Sequence, residues 1–358
     1  MTDKRISRLR TILQEQEIDA VLISQPDNRY YLSGFDGSDG YLLITQNSQI
    51  VATDFRYTEQ ASKQSPYFQL FEIKGRLADW FTALLAGYKI KRLAFESAVV
   101  TVSLYQHLSN VATEKYPEIQ LIPIENLVEN LRGVKDGTEL TKIAKAAEIS
   151  DLAIDTITAK LKPGITEKEL AWQLERFMRE SGSGVMPFEV IVAAGPNGAM
   201  AHHSPSDRPI ATGEPVVIDM GARFDHYCSD ITRTICLGKR DPKFKEIYEI
   251  VRRAQETAIN GIASGMSGVQ ADALARDVIK SACYADKFGH GLGHGVGLNV
   301  HDMIPRLSPL APPEPLVNGM VFSIEPGIYL PEWGGVRVED LAVLDNGKVK
   351  LLSHARKL

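Results

Sequence analysis

Four acidic residues and a histidine carry the chemistry open to this chain, each set on an apolar run or in a glycine-rich one. Val216, Val217 and Ile218 make a short β-branched run ending on Asp219; Gly221 to Phe224 allows a turn, and residues 227–235 return as a second strand carrying Asp230. A carboxylate placed directly after such a run is headed for burial, where it needs a cation or strong donors. Glu325 in VFSIEPG and Glu339 in VRVED repeat the arrangement, and FGHGLGHGVGLNVHD, residues 288–302, offers His290, His294 and His301. One imidazole and four carboxylates suit a pair of hard or borderline divalent ions, with bridging carboxylates holding the metals ~3.5–4 Å apart.

Two other readings of the glycine-histidine stretch fail. His290 and His294 are spaced i, i+4, but the glycines make a helix there improbable and the general-base Glu of HExxH is missing. Nor do the glycines form the GxGxxG of a dinucleotide fold. An extended or irregular segment is expected, with His294 as metal ligand and His290 and His301 aimed into a cleft. Arg337, two residues before Glu339, shares its strand face and is suited to orienting a carboxylate; Tyr227, Thr232 and Thr234 are candidates for similar work. Cys228, Cys236 and Cys283 are odd in number and lack a CxxC spacing, which reads as buried thiols rather than a disulfide frame. Cys228 lies two residues before Asp230, yet a core thiol is the better reading than a ligand.

The elements that must position these residues divide into two sets. A chain of 358 residues exceeds one ordinary core. In the first part, helices near 6–16, 57–64, 77–86 and 103–113 alternate with strands at 20–23, 41–45, 50–53, 68–73 and 93–95, which means an α/β domain. SQPDNRYYLSGFDGSDG, between the first two strands, reads as a turn-rich loop. The expected division is 1–125 for this domain, 126–137 for a linker and 138–358 for the catalytic domain. In the last, Thr138 is expected to cap a helix over 139–161 and Thr166 one over 167–180; a strand follows at 188–194, and helices at 243–263 and 269–285 follow the second aspartate strand. DLAIDTITAKLKPG (151–164) and RRAQETAINGIASG (252–265) align as a weak internal repeat of helix ends.

Charge is modest, −5 at pH 7 with a pI near 6.0, and no basic block or aromatic-basic interleaving suggests nucleic acid. MTDKRISRLR lacks the apolar run of a signal peptide, and nowhere are there the ~20 apolar residues of a membrane span. A cytoplasmic protein with no membrane partner is expected.

The order Asp219, Asp230, His294, Glu325, Glu339, in the contexts IDMG, SDITRT, GHGVGL, SIEPG and VRVED, resembles the pita-bread metallopeptidases: methionine aminopeptidase, aminopeptidase P and prolidase. The first ~125 residues resemble the amino-terminal domain of aminopeptidase P and prolidase, which methionine aminopeptidase lacks. The resemblance implies an α/β N-terminal domain plus an α+β C-terminal catalytic domain of pita-bread (creatinase/aminopeptidase) fold, whose pseudo-twofold halves agree with the repeat. It implies a homodimer and two divalent ions, with Mn²⁺ expected and Co²⁺, Zn²⁺ or Fe²⁺ admitted. Asp219 would bind one metal through both oxygens, Asp230 and Glu339 would bridge, and His294 and Glu325 would complete the ligand set of the second metal. Glu325 would also shuttle a proton to the leaving proline nitrogen, and His301 would stabilise the tetrahedral intermediate. His202, counted back from Asp219, falls on the family's active-site histidine, although Ala201 stands where many relatives have proline; His203 stays unassigned.

The activity so implied is hydrolysis of the Xaa-Pro bond at peptide N-termini, with proline-containing peptides as substrates. A dipeptidase needs a cation for the free proline carboxylate, and Arg306 in HDMIPRLSP is suited to it. The loop is one residue longer than the common form, and Asp302 replaces the usual Glu, so aminopeptidase P is expected first and prolidase second. A metal-free creatinase-like hydrolase or a non-catalytic binding protein is disfavoured by the complete set of five ligands.

Overall fold

Buried β-branched and aliphatic runs pair into a six-stranded sheet in the first unit of the computed structural model, which describes residues 2–358. The chain divides into one unit up to Arg132 and another from Gly133 to Leu358. In the first, the spatial strand order is Gln69–Glu72, Gln49–Thr53, Tyr41–Thr45, Ala20–Ile23, Arg92–Glu96 and Gln120–Ile124. Ala20–Ile23 lies antiparallel to Tyr41–Thr45 and parallel to Arg92–Glu96, so helices cross between parallel neighbours, as the alternating pattern requires. Leu22, Leu43, Phe81, Leu84 and Leu93 form the core between sheet and helices.

Three sequence expectations need correction here. The turn-rich stretch after the first strand holds a helix, Pro26–Ser33: Gln25 caps it by accepting from the Asn28 N–H, Pro26 stands in the first turn, and Gly34 ends it at φ 83°. Gln120–Ile124 is a strand that sequence reading passed over, because an edge strand holding Pro123 and no fully buried residue carries a weak strand signal. Residues 126–137 are not an open linker, since Leu127–Gly133 is a helix that buries Leu127, Val128 and Leu131.

In the second unit Asp136, not Thr138, caps the helix Gly137–Thr158, exchanging bonds with Glu139 in a capping box. Thr166 caps Glu167–Glu180 as expected. These two helices pack on a three-stranded sheet ordered Ile231–Cys236, Pro215–Met220, Ile191–Ala194. A second helix pair, Pro242–Gly261 and Gly268–Ser281, packs on a five-stranded sheet ordered Asp302–Leu307, Gly293–Gly295, Val321–Ile324, Asp340–Asp345, Lys348–Leu351. Helix pair plus sheet occurs twice, as the repeat implied. Among the described residues no helix is long and apolar enough to cross a membrane.

Candidate metal centre and cleft

The strands deliver their acids to one point because their registers align. Asp219 lies opposite Thr232 in the antiparallel pair of Pro215–Met220 with Ile231–Cys236, and Asp230 immediately precedes the latter strand. The return from Asp219 is not one continuous strand: Tyr227–Cys228 pairs with Arg223–Phe224, and the chain breaks at Ser229 and Asp230 before resuming. Cys228 therefore does not share a strand face with Asp230, and its thiol donates to the Leu298 carbonyl in the core. From the other sheet come His294 on Gly293–Gly295, extended as expected, Glu325 just past Val321–Ile324, and Glu339 between the strands ending at Arg337 and beginning at Asp340.

Asp219, Asp230, His294, Glu325 and Glu339 all line one cavity of about 460 Å³. Ligand atoms of Asp230, His294 and Glu339 lie within 4.8 Å of one another. His294 Nε2 is 3.3 Å from Glu325 Oε1 and 3.5 Å from Asp230 Oδ2, while its Nδ1 is 3.1 Å from the Gly295 carbonyl. With the Nδ1–H donated to that carbonyl, Nε2 presents a lone pair to two carboxylates, so a cation has to sit between them. A proton meets the need in the polypeptide alone: burial opposes charge on His294, but Glu325 and Glu339 outweigh it and raise the imidazole to about 9.

The acids themselves speak for a metal. Burial, with Glu339 and Asp219 close by, pushes Asp230 well above the usual carboxylate range, and burial with Glu325 and Asp219 does the same to Glu339. Asp219 Oδ1 and Glu339 Oε1 are buried without a hydrogen-bond partner. Their other oxygens are oriented: Asp219 Oδ2 accepts from Arg337 Nη2 at 2.6 Å, and Glu339 Oε2 accepts from Thr232 Oγ1 at 2.7 Å. Each carboxylate is thus held by one oxygen and offers the other inward. An all-oxygen-plus-imidazole donor set with partnerless inward oxygens fits divalent ions.

The flanking predicted residues divide. Arg337 is buried, and its Nε donates to Thr232 Oγ1 at 3.0 Å, so Thr232 and Arg337 do orient carboxylates. Tyr227 is absent from the cavity lining; its hydroxyl donates to Glu139 at 2.9 Å, on the helix Gly137–Thr158. Thr234 is likewise away from the cavity, bonded to the Arg337 backbone. His202, His290, His301 and Arg306 line the cavity. The His301 ring centroid is 4.3 Å from that of His294, and burial together with His294 keeps His301 below the ordinary histidine value. Arg306 stands opposite His294 in the strand register and is exposed.

His290 has no free ring nitrogen. Nδ1 is 2.7 Å from the Gly291 carbonyl and Nε2 2.8 Å from the Tyr329 hydroxyl, which also accepts from Arg337 Nη1 at 2.8 Å. Burial lowers the His290 value, consistent with a neutral ring that accepts from Tyr329. Sequence reasoning missed Tyr329. Its signal was available in the alternation that follows Glu325, because Gly327–Leu330 pairs with the strand that carries Arg337. Ser323 was also missed; its hydroxyl donates to Glu325 at 3.0 Å and receives the His294 N–H at 3.1 Å.

A centre of four acids and one imidazole between two helix-backed sheets defines a metallohydrolase of the pita-bread type. Residues 141–346 match metallopeptidase family M24 and residues 5–134 the creatinase/prolidase N-terminal domain, so the chain belongs to metallopeptidase family M24. It is 39% identical to the uncharacterized peptidase YqhT of Bacillus subtilis, covering 99% of this chain and 98% of that one. A solved Xaa-Pro dipeptidase from Bacillus anthracis superposes with a TM-score of 0.95 at 37% identity, covering 100% of this chain and 99% of the other. A solved X-Pro aminopeptidase from Thermotoga maritima gives 0.89 at 36% identity, with 99% of both chains covered.

Proposed function

We propose that this chain is a binuclear metal-dependent exopeptidase that hydrolyses the bond between an amino-terminal residue and proline, with residues 138–358 as its catalytic domain. The reading rests on one observation above all: five donors from two sheets converge, and two buried carboxylate oxygens among them have no hydrogen-bond partner. Asp219, Asp230, His294, Glu325 and Glu339 would hold the ions. Once bound, a pair of divalent ions supplies water activation and carbonyl polarisation.

The remaining work belongs to side chains. Glu325, fixed by Ser323, takes a proton and delivers it to the leaving proline nitrogen. His301 and His202, lining the same cleft, donate hydrogen bonds to the oxygen that gains charge. His290 acts as a wall rather than a proton carrier, since Tyr329 and the Gly291 carbonyl occupy both its nitrogens. Arg337 holds Asp219 and, through Thr232, Glu339 in the orientation that leaves one oxygen of each facing inward.

Arg306 favours dipeptides. A guanidinium in the cavity lining can neutralise the free carboxylate of a carboxy-terminal proline, which a longer peptide lacks. The relatives of Pyrococcus furiosus and Pyrococcus horikoshii, 35% and 36% identical, are described as Xaa-Pro dipeptidases. Aminopeptidase action on longer peptides, the first expectation from the lengthened loop, is supported by the likeness to the Thermotoga maritima enzyme. By the family resemblance we further propose Mn²⁺ as the ion, a homodimer as the working state and the cytoplasm as the location.

Metal-stripped protein resupplied with Mn²⁺, Co²⁺ or Zn²⁺ and offered Ala-Pro, Ala-Pro-Ala and Ala-Ala-Ala tests the activity, the substrate length and the ion. Metal-dependent cleavage of the two proline peptides, with Ala-Ala-Ala left intact, is expected. In Arg306→Met the KM for Ala-Pro should rise by roughly tenfold or more, the scale of a charge-assisted bond, with little change for Ala-Pro-Ala. Cleavage of none of the three would discard the peptidase reading.

A further inference from the structure

His203, next to the cleft histidine, is tied to a carboxylate that has no place in the metal centre. Glu167 is fully buried at the first turn of the helix Glu167–Glu180. Its Oε1 accepts from the Ala194 N–H at 2.7 Å and from Asn197 Nδ2 at 3.0 Å. Its Oε2 accepts from the Ser206 N–H at 3.0 Å, the Ser206 hydroxyl at 2.6 Å and His203 Nε2 at 2.9 Å. A carboxylate cannot donate, so His203 carries its proton on Nε2. Burial disfavours the charge on Glu167, but the bonds from Ser206, Ala194, Asn197 and His203 outweigh it and hold the acid below its ordinary value.

These donors span residues 194–206, the segment that leaves the strand Ile191–Ala194, passes through His202 and returns to the helix. Both ends and the middle of the segment are therefore gathered onto one buried charge. Its inner part lies on the strand that carries Arg337: a Cβ at Gly198 would come within 2.8 Å of the Gly335 nitrogen. Between the anchored Asn197 and Ser206 the segment reaches the cavity, which Ala201, His202, His203 and Ser204 line; of the two histidines, His203 has its Nε2 committed to Glu167.

We propose that Glu167 and His203 form a clasp that positions His202 for the substrate, so that His203 is a positioning residue and not a second catalytic histidine. The clasp rests on the reading that His202 faces the substrate in an Xaa-Pro peptidase. Charge on Glu167 makes its bonds stronger than neutral ones, and losing the His203 arm frees the segment at the residue adjoining His202. The alternative, that His203 touches substrate directly, makes Glu167 a bystander.

Metal-loaded protein carrying His203→Ala, His203→Gln, Glu167→Gln and the pair Glu167→Gln/His203→Ala distinguishes the two. With Ala-Pro, His203→Ala should lower kcat about tenfold or more, in the range of other orienting partners, while KM and metal content stay near wild type. His203→Gln, whose amide N–H can still donate to Glu167, should recover most of the loss. Glu167→Gln, which disturbs the Ala194, Asn197 and Ser206 bonds as well, should lower kcat at least as much, and the pair should be no worse than the more affected single variant, because the His203 arm is already lost with the Glu167 charge. In the metal-free proteins, amide hydrogen exchange over 194–206 should accelerate in His203→Ala and return towards wild type in His203→Gln, a readout independent of turnover. The clasp is overturned if Glu167→Gln keeps wild-type kcat while His203→Ala does not, if the two losses multiply, or if His203→Ala exchanges and turns over as wild type. Wild-type protein inactive on Ala-Pro would instead strike the peptidase reading, leaving the exchange result to judge the clasp alone.

Discussion

Glu96 in the first unit and Glu339 in the second are both buried carboxylates, 6% and 1% exposed, and they are satisfied in opposite ways. Glu96 Oε2 accepts from the N–H groups of Ser24 and Gln25 at 2.6 and 2.7 Å, and Oε1 accepts from Asn28 Nδ2 at 2.7 Å. Glu339 has a single hydrogen-bonded oxygen, and its near neighbours include Asp230, Asp219 and Glu325. A buried acid saturated by backbone and amide donors stabilises its ionised form and ties a fold together. One left half-bonded among other acids is unfavourable unless a cation arrives. Burial alone therefore does not mark a site; the distribution of donors does.

The widest separation between the two regions comes from neutralising one acid of the cluster. Asp230→Asn should lose bound metal and activity together, by well over the ~100-fold that loss of an orienting partner costs. Metal content after dialysis and Ala-Pro hydrolysis measure this, and full activity would remove Asp230 from the site. The same variant without metal should melt above metal-free wild type, since burial, Glu339 and Asp219 all oppose charge at Asp230. Next in size is His301→Ala, which removes no donor from the cluster: metal should be retained while kcat falls ~10²–10³-fold, as for loss of one oxyanion donor. Glu96→Gln should do the converse, lowering stability by about 1–3 kcal/mol in denaturant titration because the amide NH₂ faces a donor, with metal content unchanged.

This contrast also explains what the sequence disclosed. The acids announced themselves because each adjoins a β-branched or apolar run, and the arginine at Arg337 because strand alternation put it on the face of Glu339. Thr232 was found by the same logic, and it does hold Glu339. Tyr227 was misplaced because alternation presumes an unbroken strand, and the chain breaks at Ser229 and Asp230. Glu167 was visible only as a residue of a capping motif: nothing in TEKEL foretells that its partners are Ala194, Asn197, His203 and Ser206. Saturation of a carboxylate by distant backbone N–H groups is a tertiary property, so Glu96 was equally silent. The helix Pro26–Ser33 was legible and overlooked; Pro at the start and Gly just past the end are helix signals as much as turn signals.

Glu167 supplies the smallest effect and places it beside Glu96 despite its location in the second unit. Its folded-state value lies below the ordinary 4.5 because donors outweigh burial, so ionisation favours the folded protein. The stabilisation is fully present above the unfolded value and is lost as pH falls through the folded one. Glu167→Gln removes it at neutral pH, where the amide repels one of the N–H donors. In acid the wild-type carboxyl is itself protonated and, like the amide, offers one acceptor oxygen and one donor. The gap in melting temperature between metal-free wild type and metal-free Glu167→Gln should therefore be widest near pH 6–7, narrow below about 4.5, and close at lower pH. Stripping metal from both keeps the titration of Asp230 and Glu339 common to the pair. A gap that stayed constant with pH would mean that shape rather than charge at Glu167 holds the segment 194–206, and a gap that widened in acid would reverse the sign assigned here.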